Sequence, residues 1–440
     1  MENTTSNKTK VAREMYGAQT LHPTSCSVGY KERLHCHNCS AELKDMFVDL
    51  GASPLCEEFI KADQIGSGQY SYPLHAYVCK ECYLVQVGTY VSPKDIYSDY
   101  HYYSSYSDSW LEHARNYVHM MTDKFGIDRE SFVVEIASND GYLLQYFKEK
   151  EVPILGIEPA ENVTRESIKK GIPTEQVFFG HKTAIDLRDN YKTADLIIGN
   201  NVLAHVPHIN DFIDGLDQML GQMGIMTFEF PHLMKLVENN QFDTIYHEHF
   251  FYYSLITVQS IFEKHGFKIF DVQELNTHGG SIRIFVKRST NNKYPIKDNV
   301  DKIRSIEKEK GYQDIDFYRS FEKKVQQTKA NILKILINLK SKGKTIAGYG
   351  APGKGNTLLN YCGIGRDFID YTVDRNPNKH GYLLPGSLIP IFHPDKIKET
   401  KPDYVFMLPW NLKDEIIEQI DYVREWGGKF IIPIPEPIIV

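Results

Sequence analysis

The sequence predicts an α/β protein in which a small N-terminal cysteine module precedes two successive doubly wound, Rossmann-like sheets. Three observations predict it. Two Cys-x-x-Cys pairs stand at Cys36/Cys39 and Cys79/Cys82. From residue 132 short apolar runs (FVVEIA, ILGIEP, DLIIGN, IMTFEF) alternate with helical segments, the pattern of a parallel sheet covered on both faces. After a charged helical stretch over 300–340, a second such unit runs from KTIAGYG through FIDYTVD and DYVFMLP to KFIIPIP.

The 440 residues suggest about three domains. We read 1–30 as a flexible polar tail, 31–92 as a zinc-binding module, 93–300 as the first α/β domain and 301–440 as the second. Hydrophobic residues at 42% and charged residues at 24% fit a soluble globular chain and exclude long disorder or a collagen-like fibre. No apolar run approaches the roughly 20 residues of a membrane helix, so no membrane partner is expected. Formal charge is 50 − 57 = −7, which disfavours a nucleic-acid partner. The start lacks an apolar targeting core, so a cytoplasmic protein is expected. Its seven cysteines are then expected as thiols or metal thiolates, not disulfides.

Each Cys-x-x-Cys can close a tight turn that aims two thiolates at one ion, and four thiolates match tetrahedral Zn²⁺. With four sulfurs no coordination position stays open, so the metal is expected to be structural. A redox reading fails because neither pair precedes a helix in a βαβ pattern. His35, His37, Cys26 and Cys56 are weaker candidates for the same ion. The following Tyr/Ser-rich stretch, SDYHYYSSYSDSW, leads into a helical pattern through LEHARNYVHMMTDKF.

In FVVEIASNDGYLLQYF, Glu135 closes a strand, Ala137, Ser138 and Asn139 make a small-residue turn, and Gly141 opens a helix. The open end of a parallel sheet, faced by helix N-termini, is a favoured ligand crevice. Glu158 ends the next strand, 158 − 135 = 23 residues on, where an acidic side chain can accept both ribose hydroxyls. No glycine-rich cradle for a pyrophosphate is present. That pattern favours a ligand with a ribose and no phosphate, such as S-adenosylmethionine. Asn200 and Asn201 follow a later strand at the same sheet edge, placed for the adenine or methionine end, although either residue could equally cap a turn.

QFDTIYHEHFFYYSL packs titratable groups densely. In an extended stretch Tyr246 and Glu248 share one face, and His247 and His249 the other. The spacing is not that of a zinc protease. Histidine is the natural general base near neutral pH, while His247 reads as a structural hydrogen-bonder. A second cluster is His278-Gly279-Gly280-Ser281 with Arg283. Gly348-x-Gly350-x-x-Gly353 lies between a strand and a helix, and Asp374 follows Gly350 by 24 residues. By the local rule this is a dinucleotide fingerprint. Lys354, Gly355 and Asn356 add a cation and donors that would suit the diphosphate of any nucleotide.

Taken together, the cysteine pairs, VVEIASNDGYLLQ, GIEPAENV, NNVLAHVPHINDF, FEFPHL, QFDTIYHEHFFYYS, THGGSIR, YGAPGKGNTLLNY, DRNPNKHG and LPWNL resemble the sugar C-methyltransferases of nucleotide-deoxysugar pathways over roughly residues 30–440. The resemblance implies an N-terminal zinc module, a central S-adenosylmethionine domain, and a C-terminal Rossmann-like domain with the sugar nucleotide between the last two. It implies methyl transfer to C3 of a nucleotide-linked 4-keto-6-deoxysugar; TDP or GDP is the expected nucleotide and a monomer the expected state. By resemblance His249 is the base, Tyr246 and Glu248 hold substrate or base, and His205 is a lesser candidate. The cofactor would meet Glu135, Ala137, Asn139, Gly141, Glu158, Asn200 and Asn201. The substrate would meet His205, His278, Gly279, Tyr349, Lys354, Asn356, Asp374 and Arg375, with the 348–356 loop serving the diphosphate and not NAD. Two other classes remain: an NAD-dependent nucleotide-sugar oxidoreductase or epimerase, which lacks a Tyr-x-x-x-Lys pair near a first Rossmann unit, and a non-catalytic zinc-containing nucleotide-sugar-binding protein.

Overall fold

The computed structural model describes residues 34–91, Ile96 and 103–440. The expected 1–30 tail and Cys26 lie outside the described residues. Residues His35–Val440 form one compact unit. The strands in its N-terminal part are β1 (Asp45–Ser53), β2 (Ile60–Lys61), β3 (Tyr72–Val78) and β4 (Val85–Val87). The middle contributes β5 (Val133–Ile136), β6 (Ile154–Ile157), β7 (Thr174–Glu175), β8 (Ala194–Asn200), β9 (Leu220–Pro231), β10 (Phe251–Tyr252), β11 (Phe267–Leu275) and β12 (Ser281–Arg288). The last part contributes β13 (Ile346–Tyr349), β14 (Thr372–Val373), β15 (Tyr382–Leu383), β16 (Ile391–Phe392), β17 (Tyr404–Met407), β18 (Lys429–Ile432) and β19 (Ile438–Ile439).

The central sheet has the order β11-β12-β9-β8-β5-β6-β7. The run β9-β8-β5-β6-β7 is parallel as expected, and β12 adds antiparallel pairing with both β9 and β11. The 277–280 turn reverses the chain directly after β11 with no crossover helix, and a short return can pair only antiparallel. The order reverses between β5 and β8, which leaves a crevice beyond the C-terminal ends of those two strands. The C-terminal sheet, β16-β14-β13-β17-β18-β19, reverses likewise between β13 and β17. These two switch points position the site.

The helix Asp108–Phe125 covers the central sheet. The Ser107 side chain accepts the Trp110 N–H at its start, and Gly126 at φ 68° stops it in the left-handed region. Ala114, Tyr117, Val118 and Met121 recur at helical spacing and are its buried face.

The cysteine module is the β1-β3-β4-β10 sheet, so a strand from the 246–253 region completes it. Phe47 of β1 stacks on Phe321 with ring centroids 4.6 Å apart, in a core continuous with the C-terminal sheet. Cys36, Cys79 and Leu84 belong instead to the core of the central sheet. The module is therefore packed into both sheets, and each buried aromatic contributes about 2–3 kcal/mol. Among the described residues no helix is long and apolar enough to cross a membrane.

Candidate active site

The cysteine pairs converge. Sγ of Cys36 lies 3.6 Å from Sγ of Cys82, and Sγ of Cys39 lies 3.5 Å from Sγ of Cys79. All four sulfurs lie within 4.8 Å of one another. A tetrahedron with Zn–S bonds of roughly 2.3 Å sets S···S near 3.8 Å, so the four fit zinc. The two turns share one construction. Ser40 N–H donates to the Cys36 carbonyl and Tyr83 N–H to the Cys79 carbonyl, each at 2.8 Å, with Ser40 at φ 62° and Tyr83 at φ 57°. Gln86, 1% exposed, donates to Cys36 Sγ and accepts from His37 N–H. It orients the first turn, as outer partners of metal ligands do. Nothing about a lone glutamine in sequence marks it. Cys56 lies elsewhere and donates to Glu248 Oε1 at 3.2 Å.

At the C-terminal end of β5, Ala137 (φ 55°), Asn139 (φ 50°) and Gly141 (φ 77°) form the turn. A left-handed alanine costs about 1–2 kcal/mol, so the turn is held by its surroundings. Asn139 Oδ1 accepts Ser104 N–H at 2.9 Å, which draws the chain before the 108–125 helix over the turn. Glu158 accepts from Asn139 N–H and Ala160 N–H, both at 3.0 Å. Burial pushes its carboxyl up to about 7. Each of its oxygens keeps a further lone pair for a hydroxyl. Glu135 is 1% exposed, and burial pushes its carboxyl well up. Asn200 Oδ1 and Asn201 Oδ1, at the end of β8, are buried with no hydrogen-bond partner among the described residues. Such unpaired acceptors at a switch point fit a polar ligand. All seven sequence-predicted cofactor residues meet at this sheet end.

Beside them lies a network that joins His278 and Arg283, the second cluster of the sequence, to His113 and Glu229, which the sequence did not single out. Glu229, at the end of β9, accepts from His113 Nε2 at 2.8 Å, from Arg283 at 2.5 Å and from Thr277 Oγ1 at 2.9 Å. Trp110 stacks on His113 and meets His278 edge-on, and Asn201 Nδ2 lies 3.1 Å from His278 Nε2. Burial would raise the Glu229 carboxyl, but the His113 hydrogen bond and the Arg283 charge hold it down at about 2. A depressed carboxyl contributes stability above its ordinary value near 4.5 and loses it as pH falls toward 2. We expect Glu229→Gln to unfold more easily than wild type at pH 7 by on the order of 2–3 kcal/mol. In urea melts between pH 6 and 2 that gap should close with falling pH; a gap unchanged by pH would contradict the assignment.

The 246–249 segment is a tight turn, not the extended run anticipated, because His249 N–H closes on the Tyr246 carbonyl at 3.0 Å. That changes who shares a face. Tyr246 Oη lies 2.9 Å from His249 Nε2, with rings 4.1 Å apart. Glu248 turns away to Cys56 and has its carboxyl raised to about 7 by burial and Glu57. His247 bonds the Pro73 carbonyl at 3.1 Å, a structural contact. His249 Nδ1 lies 3.1 Å from the Thr244 carbonyl, so Nδ1 carries the proton and Nε2 accepts from the Tyr246 hydroxyl. His205 stands 4.7 Å away, nearly perpendicular. Burial lowers His205 to about 4; burial and His205 push His249 well below the usual imidazole range. Both rings are therefore neutral near pH 7, and His249 Nε2 carries a lone pair.

In the C-terminal sheet, Asp374 accepts from Ala351 N–H at 2.7 Å and from Asn376 N–H at 2.8 Å, fixing the loop after β13. Tyr349 donates to Gln419 at 3.3 Å. Asn356 is 1% exposed; its Nδ2 donates to the Cys56 carbonyl at 2.5 Å, bonding its helix to the cysteine module, while its Oδ1 is buried without a hydrogen-bond partner among the described residues. Lys354 lies inward, over the Trp410 ring at 4.7 Å and donating to Asn411. Gly279 packs so closely on Trp410 and Gln241 that a Cβ there would sit 3.0 Å from one and 2.7 Å from the other.

Three family models match in series: "Putative zinc binding domain" over residues 36–97, "Methyltransferase domain" over 110–272 and "C-methyltransferase C-terminal domain" over 276–435. The C-methyltransferase NovU of Streptomyces niveus is 33% identical over 393 residues, covering 89% of this chain and 93% of that protein. The chain belongs to the S-adenosylmethionine-dependent C-methyltransferases. Solved structures are more distant. A SAM-dependent methyltransferase of Anabaena variabilis is 13% identical over 39% of this chain and 83% of its own, with a TM-score of 0.33. Magnesium protoporphyrin IX methyltransferase of Synechocystis, solved with bound SAH, is 14% identical over 44% of this chain and 92% of its own, also at 0.33. The glycines Gly348, Gly350 and Gly353 lie inside the C-methyltransferase C-terminal match. The methyltransferase uses S-adenosylmethionine and carries a four-cysteine zinc site.

Proposed function

We propose that this C-methyltransferase methylates C3 of a nucleotide-linked 4-keto-6-deoxysugar by way of an enolate, with His249 as base. The observation that carries the reading is the fixed tautomer of His249: a buried neutral imidazole whose Nε2 lone pair is held by Tyr246. An sp³ carbon is not a nucleophile. Its proton becomes removable when an adjacent ketone can hold the electron pair. His249 Nε2 receives that proton, and the Thr244 carbonyl stabilises the imidazolium through Nδ1–H. Tyr246 keeps the Nε2 lone pair aimed in the resting site and then holds substrate. S-adenosylmethionine supplies an electrophilic sulfonium methyl when bound. Glu158 would take its ribose, and Asn200 and Asn201 its polar end.

The sugar nucleotide would lie between the two switch points, its TDP or GDP diphosphate against the loop after β13 near Arg375. The test is a panel of 4-keto nucleotide sugars, each incubated with enzyme and cofactor and read by product mass. One methyl should be gained on 4-keto-6-deoxysugars. Its absence from the whole panel, with methylation of an unrelated acceptor, would refute the substrate.

A further inference from the structure

We infer that Lys354 is a catalytic residue whose ammonium receives the ketone oxygen of the substrate, and so stabilises the enolate. This rests on the enolate reading above and departs from the sequence expectation that Lys354 serves the diphosphate. Lys354 is the second residue of the helix Gly353–Cys362, which starts at the C-terminal switch point. Its ammonium has three donors. Among the described residues it makes one hydrogen bond, to Asn411, and no ion pair. Its remaining contact is the Trp410 face at 4.7 Å. Two N–H groups are thus left for a ligand oxygen.

The surroundings tie Lys354 to the segment that carries the base. Trp410 Nε1 donates to Asp243 Oδ2 at 2.7 Å, and Asp243 is fully buried. Asp243 immediately precedes Thr244, whose carbonyl sets the His249 tautomer. The 277–280 turn closes the other side, with Gly279 against Trp410. Trp410 thus links the Lys354 ammonium to the 242–244 segment that fixes the base, and the 277–280 turn packs on the same ring. Burial lowers the ammonium to about 8, opposed by Asp243, so it stays protonated near pH 7. By contrast, Lys379 is occupied by the Ala351 carbonyl and Glu57.

The electron balance is complete. As His249 takes the C3 proton, the C–H pair forms the C3=C4 bond and the carbonyl π pair moves onto the C4 oxygen, where Lys354 meets the growing negative charge. The oxygen pair then re-forms the carbonyl while the C3=C4 pair forms the C3–CH₃ bond; the S–CH₃ pair stays on sulfur, S-adenosylhomocysteine leaves, and nothing is oxidised. A charge aimed at the developing oxyanion is typically a matter of 10²–10³ in rate.

The test is exchange of the C3 proton with D₂O, followed by NMR, for enzyme with S-adenosylhomocysteine and a 4-keto nucleotide sugar. We expect wild type to exchange. Lys354→Met should lose roughly 100-fold in exchange and in kcat, with substrate Kd changed less than about threefold. Lys354→Arg, which keeps the charge, should recover part of that loss. If both variants bind substrate at least about tenfold worse yet exchange at the wild-type rate once saturated, Lys354 anchors the diphosphate and the inference is overturned. Equal exchange with equal affinity would also overturn it. If wild type itself fails to exchange, the enolate reading falls, and this inference with it.

Discussion

His249→Ala should lose roughly 10²–10⁴-fold of turnover while S-adenosylmethionine affinity stays within about threefold. The reason is the division of labour seen in the site. His249 lies in the turn that follows the 242–244 segment, bonded to Thr244 and Tyr246. The unpaired amide oxygens at the cofactor side belong to β8 and its neighbour Asn201. Removing the imidazole takes away the proton acceptor and leaves those groups in place. Calorimetry with S-adenosylmethionine, beside steady-state turnover, separates the two effects. Turnover within about threefold of wild type would refute the base assignment. A matched loss of cofactor affinity would show that the turn serves binding instead.

The second large effect is metal loss. The wild-type protein should carry about one zinc per chain, read by elemental analysis. Cys79→Ser should lose it and melt far below wild type, because structural zinc contributes roughly 10 kcal/mol in small modules. The consequence would not stay local. Cys79 is fully buried in the core of the central sheet, while Phe47 and Val48 of the same module are buried against the C-terminal sheet. The strand β10 that completes the module follows directly on the 246–249 turn. A metal-free chain that melts like wild type would contradict the thiolate cage.

Parts of this were legible in sequence for a physical reason: their determinants are local. Two Cys-x-x-Cys turns declare a four-sulfur site whatever lies between them. Short apolar runs bounded by Gly and Asn declare buried strands, and Glu135, Glu158 and Asn200 fall at strand ends because the pattern fixes where strands stop. What was not legible depends on contacts between distant segments. His113, Glu229 and Arg283 come from a helix and two strands, and only the sheet brings them within hydrogen-bond reach. Gln86 supports Cys36 across 50 residues. The alternation rule misplaced Glu248 because it assumes an extended chain, whereas a closing hydrogen bond turned the segment and paired Tyr246 with His249. The Asn356 bond to the Cys56 carbonyl spans 300 residues and has no local signal.

The central claim is that a neighbouring carbonyl turns a ring carbon into the methyl acceptor. The most direct measurement uses S-adenosylmethionine labelled with ¹³C in its methyl group, a 4-keto nucleotide sugar and its 4-hydroxy counterpart, with the products read by ¹³C NMR. The predicted result is label bonded to C3 of the ketone alone. Label on oxygen or nitrogen, or equal methylation of the 4-hydroxy sugar, would contradict it.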